Sequence, residues 1–219
     1  MDTNGSFSDE ERAAIYRCIY KRRDVRGEFV QDPVPLDVLE RILEAAHHAP
    51  SVGLMQPWDF IVVRDEMVKQ RIHRSFVEAN DEAAALFEPE RSVAYRRLKL
   101  AGILEAPLGI CVTCDRSRGG PLVLGRTHQA DMDLYSTVCA VQTLWLAARA
   151  EGIGVGWVSI IRPEALRAAL GIPSEIVPVA YLCVGYTYAF HEKAELEKRG
   201  WAKRTNFREH VAWDSWTRT

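Results

Sequence analysis

The sequence contains no run approaching the ~18 to 20 uninterrupted apolar residues that cross a bilayer. Its start, Met1-Asp2-Thr3-Asn4, lacks the basic-then-apolar pattern of a secretory signal. The expectation is a cytoplasmic protein without membrane attachment. Neither sign of charge dominates: 28 Lys+Arg stand against 30 Asp+Glu, a net charge of -2. Bulk electrostatics therefore favour neither nucleic acid nor anionic lipid, and any basic site must be local. Cysteine is scarce, with Cys18, Cys111, Cys114, Cys139 and Cys183 scattered along the chain, as suits reduced thiols rather than a disulfide framework. Cys111 and Cys114 have C-x-x-C spacing, but inside an apolar, strand-like run where the two sulfurs point to opposite faces. Two small core residues are expected there.

Metal and acyl-transfer signatures are also missing. The histidines (His47, His48, His73, His128, His191, His210) never take metal-ligand spacing, and neither H-E-x-x-H nor G-x-S-x-G occurs. His128, Asp131 and Asp133 lie close in sequence, but on a helix Asp133 faces away from the other two, so no metal is expected. Gly152-Ile153-Gly154-Val155-Gly156 follows a helix and precedes a strand, the reverse of a dinucleotide-binding turn. Gly152 reads instead as the residue just past a helix C-terminus. There is no internal repeat and no low-complexity tract.

What is present is an ordinary globular composition, 219 residues with 47% hydrophobic and 26% charged, long enough to bury roughly 70% of the unfolded surface. Ser8-Asp9-Glu10-Glu11 is a capping box that opens a helix over about 9–22. Leu36, Leu39, Ile42, Leu43 and Ala46 mark a second helix ending before Pro50. Strands are expected at Trp58 to Val63, Pro107 to Thr113, Val155 to Ile161 and Ile176 to Tyr186, with a short helix opened by Pro163. Residues 130–149 are apolar almost all round, the mark of a central buried helix. From 65 to about 105 the pattern is helical but polar and broken near Pro89, suggesting a lid over about 75–105. The end, about 190–219, is a charged arm carrying Trp201, Trp213 and Trp216, expected to wrap a partner subunit. Helices and strands do not alternate strictly, so the chain reads as one α+β domain with a mixed central sheet flanked by helices.

Two clusters carry possible chemistry. Lys21-Arg22-Arg23-Asp24-Val25-Arg26 places four cations in six residues at a helix end, either a solvated terminus or a clamp for phosphate, whose oxygens match arginine forks. Ala49-Pro50-Ser51 followed by Gln56-Pro57-Trp58 offers a hydroxyl and an amide to a planar ligand.

The order of these features, from Arg22-Arg23-Asp24-Val25-Arg26 through Ala49-Pro50-Ser51 and Gln56-Pro57-Trp58 to Gly156-Trp157-Val158-Ser159 and Val184-Gly185-Tyr186, resembles the nitroreductase-like flavoprotein superfamily over about residues 10–210. Arg-Arg-Asp-Val-Arg at 22–26, Pro-Ser-Val-Gly-Leu-Met-Gln-Pro-Trp at 50–58 and Trp-Val-Ser-Ile-Ile at 157–161 are most similar to the branch that makes 5,6-dimethylbenzimidazole, the lower ligand of vitamin B12. The resemblance implies an intertwined homodimer with FMN at its interface. It implies that reduced FMN is the substrate, fragmented with O2 as co-substrate to 5,6-dimethylbenzimidazole and erythrose 4-phosphate. A separate flavin reductase would supply the reduced FMN. It further implies flavin contacts from Arg22, Arg23, Asp24, Val25, Arg26, Ser51, Met55, Ser159 and Ile160, with Arg204 from the arm joining the arginines at the phosphate. Asp24 and Ser159 correspond to the branch's catalytic pair.

Most members of the superfamily carry a small residue where Asp24 stands, so the carboxylate suggests acid/base work near the ring. Ser159 offers a hydroxyl for proton transfer, and the lid would exclude bulk water. The nearest rival is an NAD(P)H-dependent nitroreductase or quinone reductase with FMN as a resident cofactor. A rival from another class is a non-catalytic flavin-binding or storage module.

Overall fold

The computed structural model describes residues 5–216; the opening Met1 to Asn4 and the last three residues of the arm lie outside it. The capping box forms as expected. Ser8 Oγ accepts from Glu11 N and the Glu11 carboxylate accepts from Ser8 N, starting α1 at Asp9–Lys21. Helix α2 is Leu36–His47, and β1 is Trp58–Val63. The polar stretch beyond splits at Pro89 into α3 (Glu66–Ala85) and α4 (Pro89–Arg96), because proline fits the first turn of a helix but not its interior. Strand β2 (Leu108–Asp115) leads to α5 (Met132–Ala150), β3 (Ile153–Val158), α6 (Pro163–Leu170), β4 (Ile176–Tyr186) and the short α7 (Glu195–Lys198). Gly152 has φ 76° and ends α5, as the sequence suggested.

The sheet order is β1-β2-β4-β3, with every pair of neighbouring strands antiparallel. Its mixed character is confined to one parallel bridge, Asp24 to Val155. Strand β3 ends at Val158 rather than Ile161, so Ser159 to Ile161 form the turn into α6. Side-chain alternation divides the core in two. Ile110, Val112, Leu182 and Val184 meet Ile42 and Leu144 of α2 and α5. Cys111, Tyr181 and Cys183 meet Ile72, Phe76 and Leu166 of α3 and α6. The C-x-x-C sulfurs do part company: Cys111 joins the second cluster, while Cys114 is influenced by Thr137 of α5. Burial pushes the Cys111 thiol up to about 12, so it stays protonated and unreactive.

Two expectations need correction. Residues 75–105 are not a single cover, because Phe76, Ala84, Ala101 and Ile103 are core; the stretch that stands off the sheet is α4 with its flanks. Nor is α5 buried all round, since Tyr135 and Val138 are exposed. Among the described residues no helix is long and apolar enough to cross a membrane.

Candidate active site

Residues 24–30 are threaded through the sheet edge as an extended ribbon. Val25 N donates to Val155 O at 3.0 Å, beside β3, and Val30 N donates to Tyr186 O at 2.9 Å, at the last residue of β4. The ribbon lies this close to β3 because Gly156 has no side chain: a Cβ there would overlap the Val25 carbonyl oxygen. The glycine run therefore serves backbone approach, not phosphate binding. Val25 is buried, which turns its neighbour Asp24 outward along the edge of β3.

Asp24 is held from two sides. Its Oδ1 accepts from Trp157 N at 3.1 Å, and its Oδ2 accepts from Arg26 Nε at 2.8 Å. Arg26 also donates to the Leu100 carbonyl. Asp24 is thus ion-paired with Arg26 within the single chain. Burial raises the Asp24 carboxyl above the ordinary carboxylate range, with Arg26 the main opposing influence. Solvent moderates that rise, since 40% of the side chain still reaches water. Ser159 follows Trp157 by two residues, just past the end of β3. It is exposed and lines a neighbouring cavity of about 210 Å³ with Trp157, Pro178 and Tyr181. Ile160 packs against the second core cluster.

The arginines divide their work. Arg22 lies over the Trp145 ring at 4.8 Å. Burial is the main influence holding its guanidinium below the usual arginine range; Asp24 opposes this, while Arg23 and Arg204 add to it. Arg204 of the arm thus acts on Arg22 through its charge. Arg23, expected at the phosphate, is largely committed to the backbone: it donates to the carbonyls of Tyr20 (2.8 Å), Arg22 (2.7 Å) and Glu192. It ties the end of α1 to the start of the arm. Like charges brought together across half-buried surface favour an anion between them.

Glu28 is a residue that sequence reasoning missed. Its Oε2 accepts from Arg26 N (3.2 Å) and Gly27 N (3.1 Å), and its Oε1 contacts His191 Nε2 at 3.0 Å. It therefore links the ribbon to the arm. With Arg23, Asp24, Arg26, Lys99 and His191 it lines a cavity of about 210 Å³, smaller than the ~300 Å³ at the low end of small-molecule sites.

Ser51 and Met55 sit elsewhere. Ser51 Oγ accepts from Gln56 N at 3.0 Å, and Val52 N donates to Ser136 Oγ of α5 at 3.0 Å. Leu54 (φ 51°) and Gln56 (φ 46°) are left-handed without being glycine, a strained loop of the kind found at ligand sites. Among the described residues no hydrogen bond or ion pair joins this loop to residues 22–26. The metal reading also needs revising in its geometry. Asp131 and Asp133 do not face apart but share Arg116, at 2.8 and 3.1 Å, and Asp133 is 1% exposed with Arg126 as second partner at 3.1 Å. Asp131 is the N-cap of α5, outside the helical turn that the wheel assumed.

Residues 19–186 match the nitroreductase family. The chain belongs to that family. Among its curated members, 5,6-dimethylbenzimidazole synthase of Rhodospirillum rubrum is 43% identical over 204 residues, covering 93% of this chain and 96% of the relative. The synthase of Rhodobacter capsulatus is 35% identical over 196 residues, covering 90% and 94%. Identity at this level over nearly the full length places the chain in the synthase branch of the nitroreductase family. Among solved structures, iodotyrosine deiodinase bound to FMN and 3-iodo-L-tyrosine superposes with a TM-score of 0.72 at 22% identity, covering 92% of this chain and all of that one. The nitroreductase fold is common to both.

Proposed function

We infer that this chain is a 5,6-dimethylbenzimidazole synthase, converting reduced FMN and O2 to 5,6-dimethylbenzimidazole; four carbons of the ribityl tail leave as erythrose 4-phosphate, the fifth stays in the imidazole ring, and the pyrimidine portion of the flavin is released as a separate oxidised fragment. The observation that carries the reading is Asp24, a carboxylate fixed by Trp157 N and Arg26 at the edge of β3 beside a knot of arginines, in a chain similar to two synthases along almost its whole length. The arrangement divides the tasks. Arg22 and Arg204 hold the phosphate dianion, with Arg23 fixing the arm that delivers Arg204 and Arg26 orienting Asp24. Asp24, held more basic than an ordinary carboxylate, accepts and returns protons at the reacting ring. The hydroxyl of Ser159, in the turn after β3, donates a hydrogen bond to the reacting ring. Val25 and Ile160 set the backbone on either side.

A second copy of the chain completes the site. The single-chain cavity is too small for a flavin, and the strained loop carrying Ser51 and Met55 is separate from the arginines. Helix α1 buries no residue and presents Ile15, Tyr16, Ile19 and Tyr20 to solvent, and Tyr135 and Val138 of α5 are exposed as well; Trp213 and Trp216 of the arm are 81% and 79% exposed. Pairing these faces in a homodimer covers them and brings the loop of one subunit to the arginines of the other. A separate flavin reductase supplies the reduced FMN.

The test is chromatography after mixing the protein with chemically reduced FMN in air. Dimethylbenzimidazole is the expected product. Asp24→Asn and Ser159→Gly should bind reduced FMN but lose ~10² to 10⁴ in product formation, returning FMN and hydrogen peroxide. If the unaltered protein returns only FMN and peroxide, the assignment is wrong. If NADH bleaches the FMN-loaded protein and no dimethylbenzimidazole forms, it is an NAD(P)H-dependent reductase.

A further inference from the structure

We propose that the seam between α4 and the C-terminal arm is a second binding site for a phosphate monoester dianion, separate from the Arg22 and Arg204 cluster. A cavity of about 410 Å³ lies there, with Arg91, Ala94 and Arg97 on the α4 side and Arg199 and Trp201 on the arm side. Three guanidinium groups line it and no carboxylate does. Arg91 and Ala94 share one helix face at i and i+3, and the small Ala94 leaves the room. Arg91 is fixed by stacking over the Trp201 ring at 4.5 Å. That indole is in turn wedged edge-on against Phe87 at 5.5 Å and beside Tyr95 at 6.1 Å. Arg199 is half neutralised, its Nε donating to Glu195 Oε1 at 2.7 Å. The guanidinium of Arg97 takes no ion pair or hydrogen bond among the described residues. Three cations around one cavity repel each other, and a dianion whose oxygens match their forks offsets that repulsion. Phe87 and Tyr95 anchor the arm through Trp201, so an anion here bridges the cover and the arm that carries Arg204.

The identity of the ligand rests on the synthase reading. Substrate and departing sugar both carry a phosphate monoester, so the seam receives either the FMN tail on arrival or erythrose 4-phosphate on departure. The experiment uses the full-length protein with isotope-labelled arginine and tryptophan, following the side-chain resonances of Arg97 and Trp201 by NMR. Erythrose 4-phosphate, FMN and riboflavin are titrated separately. The expected result is saturable movement of both resonances with erythrose 4-phosphate and FMN and none with riboflavin; whichever ester binds more tightly identifies the source. Arg97→Gln should weaken binding about tenfold, with Arg97→Lys recovering part of it, while Arg22 and Arg204 continue to respond to FMN. If Arg97 and Trp201 stay still while Arg22 and Arg204 move, or if Arg97→Gln leaves the affinity unchanged, the seam site does not exist. Those outcomes leave dimethylbenzimidazole formation intact, whereas failure of the synthase reading appears as absent product whatever the seam binds.

Discussion

Replacing Gly156 with alanine tests whether the ribbon's approach to β3 is what holds Asp24. The added Cβ would overlap the Val25 carbonyl oxygen, so the ribbon must retreat by on the order of 1 Å to restore normal contact. Two bonds sit within that distance of breaking: Val25 N to Val155 O at 3.0 Å and Trp157 N to Asp24 Oδ1 at 3.1 Å. The first is worth about 1 kcal/mol and the second, to a charged acceptor, about 1.5 to 3 kcal/mol. The variant should therefore lose about 2 to 4 kcal/mol, which in a chain of this size lowers Tm by about 4 to 16 °C. It should also slow dimethylbenzimidazole formation, because Asp24 loses its backbone anchor. Gly152→Ala is the comparison. Its Cβ meets open space but its φ is 76°, so it should cost only about 1 kcal/mol and leave product formation alone. Differential scanning calorimetry and the aerobic reduced-FMN assay read both effects. Should Gly156→Ala melt no lower than Gly152→Ala and turn over normally, the steric account of the site is wrong.

Three further outcomes follow from the site and its surroundings. Arg22→Gln or Arg204→Gln should weaken FMN binding by about 2 kcal/mol, roughly thirtyfold, and reduce the preference for FMN over riboflavin; flavin-fluorescence titration measures both, and an unchanged preference would move the phosphate elsewhere. Arg26→Gln removes the main influence opposing the rise of the Asp24 carboxyl, so the acidic limb of the product-formation profile should move to higher pH. Because the folded chain holds the Asp24 proton more tightly than the unfolded chain, this group favours folding most at acid pH and loses that contribution as pH rises through the folded value; a limb that stays put refutes the coupling. Asp133→Ala leaves Arg116 and Arg126 without their buried carboxylate and should cost about 3 kcal/mol by urea denaturation, whereas a neutral result would show that the cluster relaxes freely into water.

Local signals were the legible ones. The Ser8 capping box, Pro89 and Pro163 at helix starts and Gly152 past the end of α5 each act within a few residues, so their physics is written in adjacent letters. Strands β1 and β4 were legible because their apolar runs are bounded by turn residues. The lid was over-drawn because α3 is polar on one face only, and a polar average conceals Ile72 and Phe76 on the other. The site was less accessible. Asp24 meets Trp157 across 133 positions, and Glu28 meets His191 across 163; neither pairing leaves a periodicity. Asp133 was misjudged because a helical wheel says nothing of an arginine arriving from a loop seventeen residues away. The arginine cluster was visible as composition, but the commitment of Arg23 to the carbonyls of Tyr20, Arg22 and Glu192 depends on where the arm returns.

The ribbon at 24–30 has a temporal meaning as well as a spatial one. It leaves the ribosome well before its partners: Asp24 has no partner strand until β3 has emerged, and Glu28 has no histidine until the arm begins. Arg204 arrives later still. A nascent or truncated polypeptide can thus build its helical pairs and part of its sheet while the reactive corner stays unformed. Assembly of this corner waits for β3 and then for the arm, and that order follows from chain connectivity.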